Sequence, residues 1–290
     1  MNENIKQKDK LNIETYDLLK GIIIGIANAT AVTPVANLSN RVVIRRRNPA
    51  IILPKLTLNR AYDGLLQYNL SFVLRLGIAL PLNTLLVRLA DNHDVISEKQ
   101  KLLLSVAAGG IAGIAASIPE AVAQTQQQST HKLSALSIVQ AAYRNNGFWG
   151  LTRGMPMVIG RTAGFTAGYL SFMPYITESM RAKWPNNKGA ADLVAAVVCG
   201  MGVGLMTTPF HQLRCVMQDK FIERKPADIT YRALLKKACQ SKAGMRNSFS
   251  GLVPRTVMSM MSMWIIFQGN EQAGHIYAKN GFPTLLNFKP

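Results

Sequence analysis

Two arginines interrupt long apolar stretches of this 290-residue sequence. Arg75 lies within FVLRLGIALPLNTLLVRL, and Arg161 lies within MVIGRTAGFTAGYLSFMPYI. A charged side chain inside a membrane-spanning helix is costly, so it usually marks a functional site. Because the guanidinium group is a planar fork of donors that fits carboxylate or phosphate, these positions predict anion binding.

Other kinds of site are poorly supported. The four histidines and three cysteines lack the spacing of metal ligands or of a catalytic triad, and there is no P-loop or GxSxG motif. The run Gly200-x-Gly202-x-Gly204 resembles a dinucleotide-binding loop, but its third glycine comes one place early and no acidic residue suits the ribose position. The sequence therefore predicts no catalytic residue, no metal and no cofactor, and the chain is not expected to be an enzyme.

One pattern occurs three times along the chain. Pro34, Pro119 and Pro209 each follow a Gly/Ala-rich apolar run, and a polar connector and a second apolar stretch follow each proline. A proline within a helix removes a backbone hydrogen bond and bends the helix. The pattern predicts an all-α membrane protein with six transmembrane helices in three repeats related by pseudo-threefold symmetry.

The expected segments follow from these landmarks. They are a polar N-terminal segment 1–15, repeats at 16–91, 99–182 and 189–276, and a C-terminal tail 277–290. Short surface helices are expected on the side of the basic connectors, one of them at 132–143. The glycines Gly147 and Gly154 recur with the same spacing as Gly244 and Gly251, and we assign Ala61 and Tyr68 to the matching places of the first repeat.

The net positive charge is concentrated in every second connector between the expected helices. The net charge is +18. Connectors 41–60, 129–153 and 219–250 carry +14 together, whereas the termini and the other connectors carry +2. Lys/Arg-rich loops stay on the inner side of a membrane, so both termini are expected on the opposite, near-neutral side.

Two alternatives account for less. A soluble helical protein with Ala-rich core helices would have no reason to sort charge in this way. A nucleic-acid-binding protein would concentrate its basic residues with aromatic residues in one stripe, whereas here they are spread over three loops. We therefore expect a membrane-embedded chain without a nucleic-acid partner.

The repeated pattern resembles the mitochondrial carrier family over about residues 16–276. The signature of that family is Pro-x-acidic-x-x-basic-x-basic, often with Gln two places later. The third repeat keeps Pro209, Arg214 and Gln218 but has His211 at the acidic place. The other repeats keep fewer residues, namely Pro119 with Gln128 and Pro34 with Arg41. A second family element survives as Asn146-Gly147 with Arg153-Gly154.

The resemblance implies gates at both ends of a central cavity. In the family, acidic and basic residues near the prolines form an ionic ring that closes the matrix side. Ala36, Ala121 and His211 occupy the acidic places here, so three ion pairs cannot form, and closure must use packing or Gln/Ser hydrogen bonds or else be weak. The gate candidates at the two ends are Arg41, Gln124, Gln128, His211, Arg214, Gln218 and Glu271.

The resemblance also implies a substrate site on the second apolar helix of each repeat. Family contact points lie seven residues after the landmark glycine, and counting from Tyr68, Gly154 and Gly251 gives Arg75, Arg161 and Met258. Thr162 accompanies the second point, and Arg255 lies one turn from the third. These residues imply a small anionic substrate. The high positive charge favours ATP/ADP-type nucleotide exchange by alternating access, and a carboxylate or keto acid is the alternative.

Further expectations follow from the same resemblance. The protein would be a monomer and a multi-pass protein of the mitochondrial inner membrane, with anionic lipid such as cardiolipin at Gly147, Arg153 and Gly154. Its divergence is of the kind found in bacterial effectors that imitate carriers in the mitochondria of a host cell. A carrier-like membrane protein that no longer transports is the alternative from another functional class.

Overall fold

The computed structural model describes residues 2–45, 58–91, 97–128, 133–218 and 247–279, together with residues 233, 236, 240 and 244. These residues are almost entirely helical. The helices are α1 Asn2–Arg45, α2 Leu58–Ala61, α3 Leu65–Asp91, α4 Glu98–Gln128, α5 Ala135–Leu151, α6 Met155–Ala167, α7 Met173–Lys183, α8 Lys188–Gln218 and α9 Leu252–Lys279. A π-helical turn, Gly168–Phe172, joins α6 to α7.

Four helices of the described part are long and apolar enough to cross a membrane. They cover Tyr16–Val43, Leu65–Ala90, Glu98–Gln127 and Lys188–Gln218. The expectation of six spans in a threefold repeat is not confirmed. The π-helical turn divides residues 155–183 into short helices, and α9 mixes Arg255, Ser259 and Ser262 into its apolar run.

Paired glycines on α1, α4 and α8 allow each of these proline-containing helices to pack closely against the second apolar helix of the same repeat. A Cβ atom added to Gly200 would lie 2.5 Å from the Cα of Met260, and one added to Gly204 would lie 2.9 Å from the Cα of Thr256. Side chains larger than hydrogen therefore do not fit at this contact, as is common where membrane helices approach closely. Equivalent pairs are Gly21 and Gly25 on α1 against α3, and Gly109 and Gly113 on α4 against α6.

Left-handed glycines start three helices. Gly64, Gly154 and Gly251 have φ angles of 74°, 87° and 79° and directly precede α3, α6 and α9. Residues with a Cβ atom rarely adopt this conformation. The assignment of Ala61 and Tyr68 to the glycine places of the first repeat is therefore wrong, because the glycine is retained at position 64.

Each of these glycines also packs against the proline-containing helix of the following repeat, and the glycine of the third repeat packs against that of the first. A Cβ atom at any of the three would lie within about 3 Å of a neighbouring helix. The nearest neighbours are Ala123 of α4 for Gly64, Gln218 of α8 for Gly154, and Val43 of α1 for Gly251.

Two element boundaries differ from those expected. Helix α1 starts at Asn2 and so takes in most of the polar N-terminal segment, whereas the first repeat was expected to begin at residue 16. The surface helix covers Ala135–Leu151 rather than 132–143, and it is bent at Gly147, which has a φ angle of 64°. Its start is capped by Ser134, whose hydroxyl oxygen accepts a hydrogen bond from the backbone N–H of Ser137 at 3.1 Å. The third surface helix expected within 219–250 falls largely outside the described residues.

The interior of the bundle has an apolar part and a polar part. Ile24, Leu76, Met173 and Ile266 belong to a buried apolar cluster on the side where α1 begins and α9 ends. Near the three prolines the buried side chains are instead mostly Arg, Asn, Gln, His, Ser and Thr. This polar layer contains the candidate site.

Candidate functional site

Three arginines from different helices converge on the carboxylate of Glu120. Arg161 Nη2 lies 2.5 Å from Glu120 Oε2, and Arg75 and Arg214 form ion pairs with the same carboxylate. Glu120 is 1% exposed, and Arg161 and Arg214 are equally well buried. The contacts connect α3, α4, α6 and α8 through a single charged group.

Helix geometry sets the depth of this site. Glu120 directly follows Pro119 and lies eight residues before the end of α4. At 1.5 Å per residue it is about 12 Å from the helix end on the basic-connector side. Arg75 lies ten residues after the start of α3 and Arg161 lies six residues after the start of α6, and both helices run in the opposite direction to α4. The charged groups therefore meet inside the bundle rather than at its rim.

Arg255 adds a fourth buried cation. It is 2% exposed and interacts electrostatically with Arg161 and Arg214. Its Nη1 donates to Met258 Sδ at 3.6 Å, while its Nε has no hydrogen-bond partner. Among the described side chains, no carboxylate pairs with it. We call Arg75, Arg161, Arg214, Arg255 and Glu120 the arginine cluster.

The arginine cluster carries four positive charges against one negative charge. Removing an ion from water costs several kcal/mol, and an unpaired buried charge is strongly unfavourable. Unpartnered donors remain at the Nε atoms of Arg75 and Arg214 as well as Arg255. The arrangement suits an additional anion with several acceptor oxygens.

The residues expected to bind substrate lie together here. Thr162 is 3% exposed with an unpartnered hydroxyl, and Met258 accepts a hydrogen bond from Tyr68 Oη at 3.6 Å. Counting seven residues from Gly64 rather than Tyr68 puts Ser71, not Arg75, at the place equivalent to Arg161 and Met258. Ser71 is fully buried and its hydroxyl also has no partner.

Hydrogen bonds close the bundle between the arginine cluster and the basic connectors. Ser39 Oγ and His211 Nε2 lie 3.2 Å apart and connect α1 to α8, and Gln124 Nε2 donates to the Cys215 carbonyl oxygen at 3.3 Å. Asn40 donates to Gln127 and accepts from Arg214 at 3.3 Å. We call these hydrogen bonds the basic-side closure.

The remaining candidates on this side lie farther out. Arg41 donates to Asn37 Oδ1 at 3.2 Å and pairs with Asp63 at 3.5 Å. Gln218 Nε2 donates to the Arg153 carbonyl oxygen at 3.1 Å, beside Gly154. Gly147 is exposed on the surface helix, and the side chain of Gln128 lies outside the described part.

A second charged group lies at the opposite end of the bundle. Arg181 of α7 contacts both oxygens of Asp192 at 2.6 and 2.7 Å and Glu271 Oε1 at 2.5 Å. We call these three residues the termini-side cluster. Nearby, Asp17 pairs with Lys20 at 2.9 Å and accepts from Thr84 at 2.9 Å. Glu271, a gate candidate from the sequence, thus has Arg181 as a partner that was not anticipated.

Sequence reasoning missed Glu120 and Arg181. In the family signature the acidic residue is the second residue after the proline, which is Ala121 in the second repeat. Glu120 is the first residue after Pro119 and was therefore overlooked. The signal for Glu120 was available, since it is the sole acidic residue between 99 and 128, and the cost of a charge in a span applies to it as it does to Arg75 and Arg161. Among the described residues, no group of three or more His, Cys, Asp or Glu side chains could hold a metal ion.

No known family profile matches the sequence. The chain is 22% identical over 229 residues to mitochondrial 2-oxodicarboxylate carrier 2 of Saccharomyces cerevisiae, covering 70% of this chain and 74% of the carrier. The protein is carrier-like. This similarity, together with the four apolar helices, supports a relationship to mitochondrial carriers. It is consistent with a multi-pass mitochondrial membrane protein that acts as a transporter rather than an enzyme.

Proposed function

We propose that this carrier-like protein transports a multiply charged organic anion, which binds at Arg75, Arg161 and Arg255. The observation that carries the proposal is the buried excess of four arginines over one carboxylate in the described residues. One cation comes from each of α3, α6 and α9, so a ligand between these helices would contact all three. Thr162 and Ser71 would donate hydroxyl hydrogen bonds to the same ligand.

A 2-oxodicarboxylate is the first substrate to test. The yeast relative is named as a carrier of this class. Two carboxylates on a short chain would each accept a bidentate pair of hydrogen bonds from a guanidinium group. Arg161 with the adjacent Thr162 provides both a cation and a hydroxyl donor at one contact point.

A nucleotide of the ATP/ADP type is the second candidate. The specific observation in its favour is the net charge of +3 in the arginine cluster, with Arg255 free of any described carboxylate. The similarity to a dicarboxylate carrier does not support this specificity. Arg255 is the residue that separates the two candidates, because a dicarboxylate needs only two of the cations.

Transport would proceed by alternating access. Opening the basic-side closure would expose the arginine cluster to the side of the basic connectors, and opening the termini-side cluster would expose it to the other side. We place the protein in the mitochondrial inner membrane as a monomer built from repeats 16–91, 99–182 and 189–276. Anionic lipid such as cardiolipin would bind near Gly147, Arg153 and Gly154.

The orientation of the chain is tested by cysteine labelling. Single cysteines at positions 5 and 137 should react with an impermeant reagent from opposite sides of the membrane, since the termini and the surface helix α5 lie on opposite sides in this proposal. Labelling of both positions from one side would contradict the expected topology.

Uptake by proteoliposomes tests the function. The purified protein should take up radiolabelled 2-oxoglutarate or ADP, and faster when the vesicles contain unlabelled substrate. The panel should include ATP, citrate, malate and pyruvate. Uptake no greater than that of protein-free vesicles for every anion would overturn the proposal in favour of a non-transporting membrane protein.

A further inference from the structure

Glu120 occupies the place that a transported anion would need. Its carboxylate contacts Arg75 and Arg161, two of the three arginines assigned to the substrate, and also Arg214. The geometry points to Glu120 as an internal carboxylate that occupies the binding position of the anionic group of the substrate. It fills the arginine cluster when substrate is absent and leaves these arginines when substrate binds. This inference deepens the proposed function and rests on it.

A single carboxylate satisfies this cluster only in part. It has two oxygens for three guanidinium groups, and the Nε atoms of Arg75, Arg214 and Arg255 have no hydrogen-bond partner. A permanent structural ion pair would be expected to satisfy its buried donors, because each unmet donor is unfavourable. An incoming anion with more oxygens and more charge would satisfy donors that Glu120 leaves unmet.

The exchange also gives a criterion for substrate choice. A monovalent anion that displaces Glu120 replaces one carboxylate by another and gains no charge complementarity. A divalent anion gains a second charged contact, because Arg75 and Arg161 can each pair with a separate anionic group, and a trivalent anion can in addition reach Arg255. Glu120 would therefore be a specificity-determining residue that discriminates against monovalent anions.

Displacement of Glu120 would also loosen the basic-side closure. Arg214 of α8 connects Glu120 of α4 to Asn40 of α1, and Asn40 bonds in turn to Gln127 of α4. These are the helices whose proline-bent ends meet on the basic-connector side. A substrate that competes for Arg75 and Arg161 would thus bind more tightly to the open arrangement than to the closed one, as a shift of a conformational equilibrium requires.

Chemical rescue tests the inference without knowledge of the substrate. Glu120→Ala removes the carboxylate and leaves a space for acetate beside the arginines. The melting temperature of the purified variant in detergent should be measured in sodium acetate and in sodium chloride at equal ionic strength. We expect acetate to raise it by roughly 5–10 °C relative to chloride. Wild-type protein, in which Glu120 fills the site, should show no acetate-specific shift.

Two variants serve as controls. Glu120→Gln removes the charge but keeps the volume, so it should be destabilised and should respond to acetate less than Glu120→Ala does, because the Gln side chain must first leave the arginines. Glu98→Ala removes the exposed carboxylate that pairs with Lys101 at 2.8 Å and should behave as wild type in both salts. A second arm measures pyruvate uptake, which should be at least about tenfold faster for Glu120→Gln than for wild type if Glu120 excludes monovalent anions.

Several outcomes would overturn the inference. They are an equal response to acetate in Glu120→Ala and Glu120→Gln, failure to recover folded Glu120→Ala in acetate, and unchanged pyruvate exclusion in an active Glu120→Gln protein. The result is separable from the proposed function. Acetate rescue in a protein that transports nothing would support the anion site at Glu120 and reject transport. Transport without acetate rescue would support transport and reject the assigned role of Glu120.

Discussion

The two charged clusters of this protein have opposite charge balance. In the arginine cluster, four buried cations accompany one carboxylate, Glu120, which pairs with three of them, whereas in the termini-side cluster a single Arg181 is shared by Asp192 and Glu271. Their solvent exposure differs as well, because Arg161 is 2% exposed and the side chain of Arg181 is 34% exposed. The first cluster lacks negative charge in a buried site, whereas in the second Asp192 is buried but Arg181 and Glu271 are each about one-third exposed.

This difference separates binding from closure. An exposed ion pair contributes little and can open and close easily, which suits a gate. A buried excess of one sign is unfavourable by itself, and it persists where a ligand of the opposite sign provides the compensation. This comparison is the physical basis for the proposal that the arginine cluster binds the anion and that the termini-side cluster acts as a gate.

The largest expected effect concerns the stability of the two clusters. Glu120→Gln leaves three buried arginines without their carboxylate and should lower the free energy of unfolding by roughly 3–5 kcal/mol. Glu271→Gln leaves Arg181 paired with Asp192 and should lower it by about 0–1 kcal/mol. Thermal unfolding in detergent, in chloride buffer, would measure both. Equal losses would show that burial does not distinguish the clusters.

Substrate charge should distinguish the same two regions. Arg255→Gln removes a charged donor that only a highly charged anion needs. The kcat/KM for ADP uptake should therefore fall roughly 10–150-fold, which corresponds to a loss of about 1.5–3 kcal/mol. Uptake of 2-oxoglutarate should fall less than about threefold. Arg181→Gln, which changes a gate, should reduce both substrates by the same factor. A uniform loss in Arg255→Gln would contradict its assigned role in selectivity.

The smallest effect concerns single hydrogen bonds at each end. Ser39→Ala removes the contact with His211 and should favour opening of the basic-side closure by about 1 kcal/mol, or roughly fivefold. Thr84→Ala removes the matched contact with Asp17 at the other end. With Cys199 and Cys239 replaced by Ala, labelling of Cys215 from the basic side should rise in the first variant only. Faster labelling in Thr84→Ala would mean that the two ends do not open separately.

Much of the fold could be predicted from local patterns. Pro34, Pro119 and Pro209 at the ends of Gly/Ala-rich runs indicated the bent helices, because the bend depends on the proline itself. The register of the first repeat was wrong because its connector is shorter and its left-handed glycine, Gly64, lacks the neighbouring residues that mark Gly154. A φ angle above zero cannot be read from a lone glycine, which is also common in helix contacts.

The candidate site was predictable in composition but not in pairing. Arg75 and Arg161 stood out because charges are rare in apolar helices. That both contact Glu120, and that Arg214 joins them, depends on how far each helix is shifted along its axis. Those shifts are set by contacts between residues far apart in sequence, such as Gly200 with Met260. Local sequence patterns do not contain this information.

The central claim is that the arginine cluster binds the transported anion. It is tested most directly by proteoliposome uptake of 2-oxoglutarate and ADP with the double variant Arg75→Ala/Arg161→Ala, compared with Arg144→Ala, which removes an exposed arginine of α5. Loss of either buried partner should cost the transported anion roughly 2–5 kcal/mol, so the double variant should show no uptake above background. Arg144→Ala should transport as wild type does. Full uptake by the double variant would show that the anion binds elsewhere and would contradict the account.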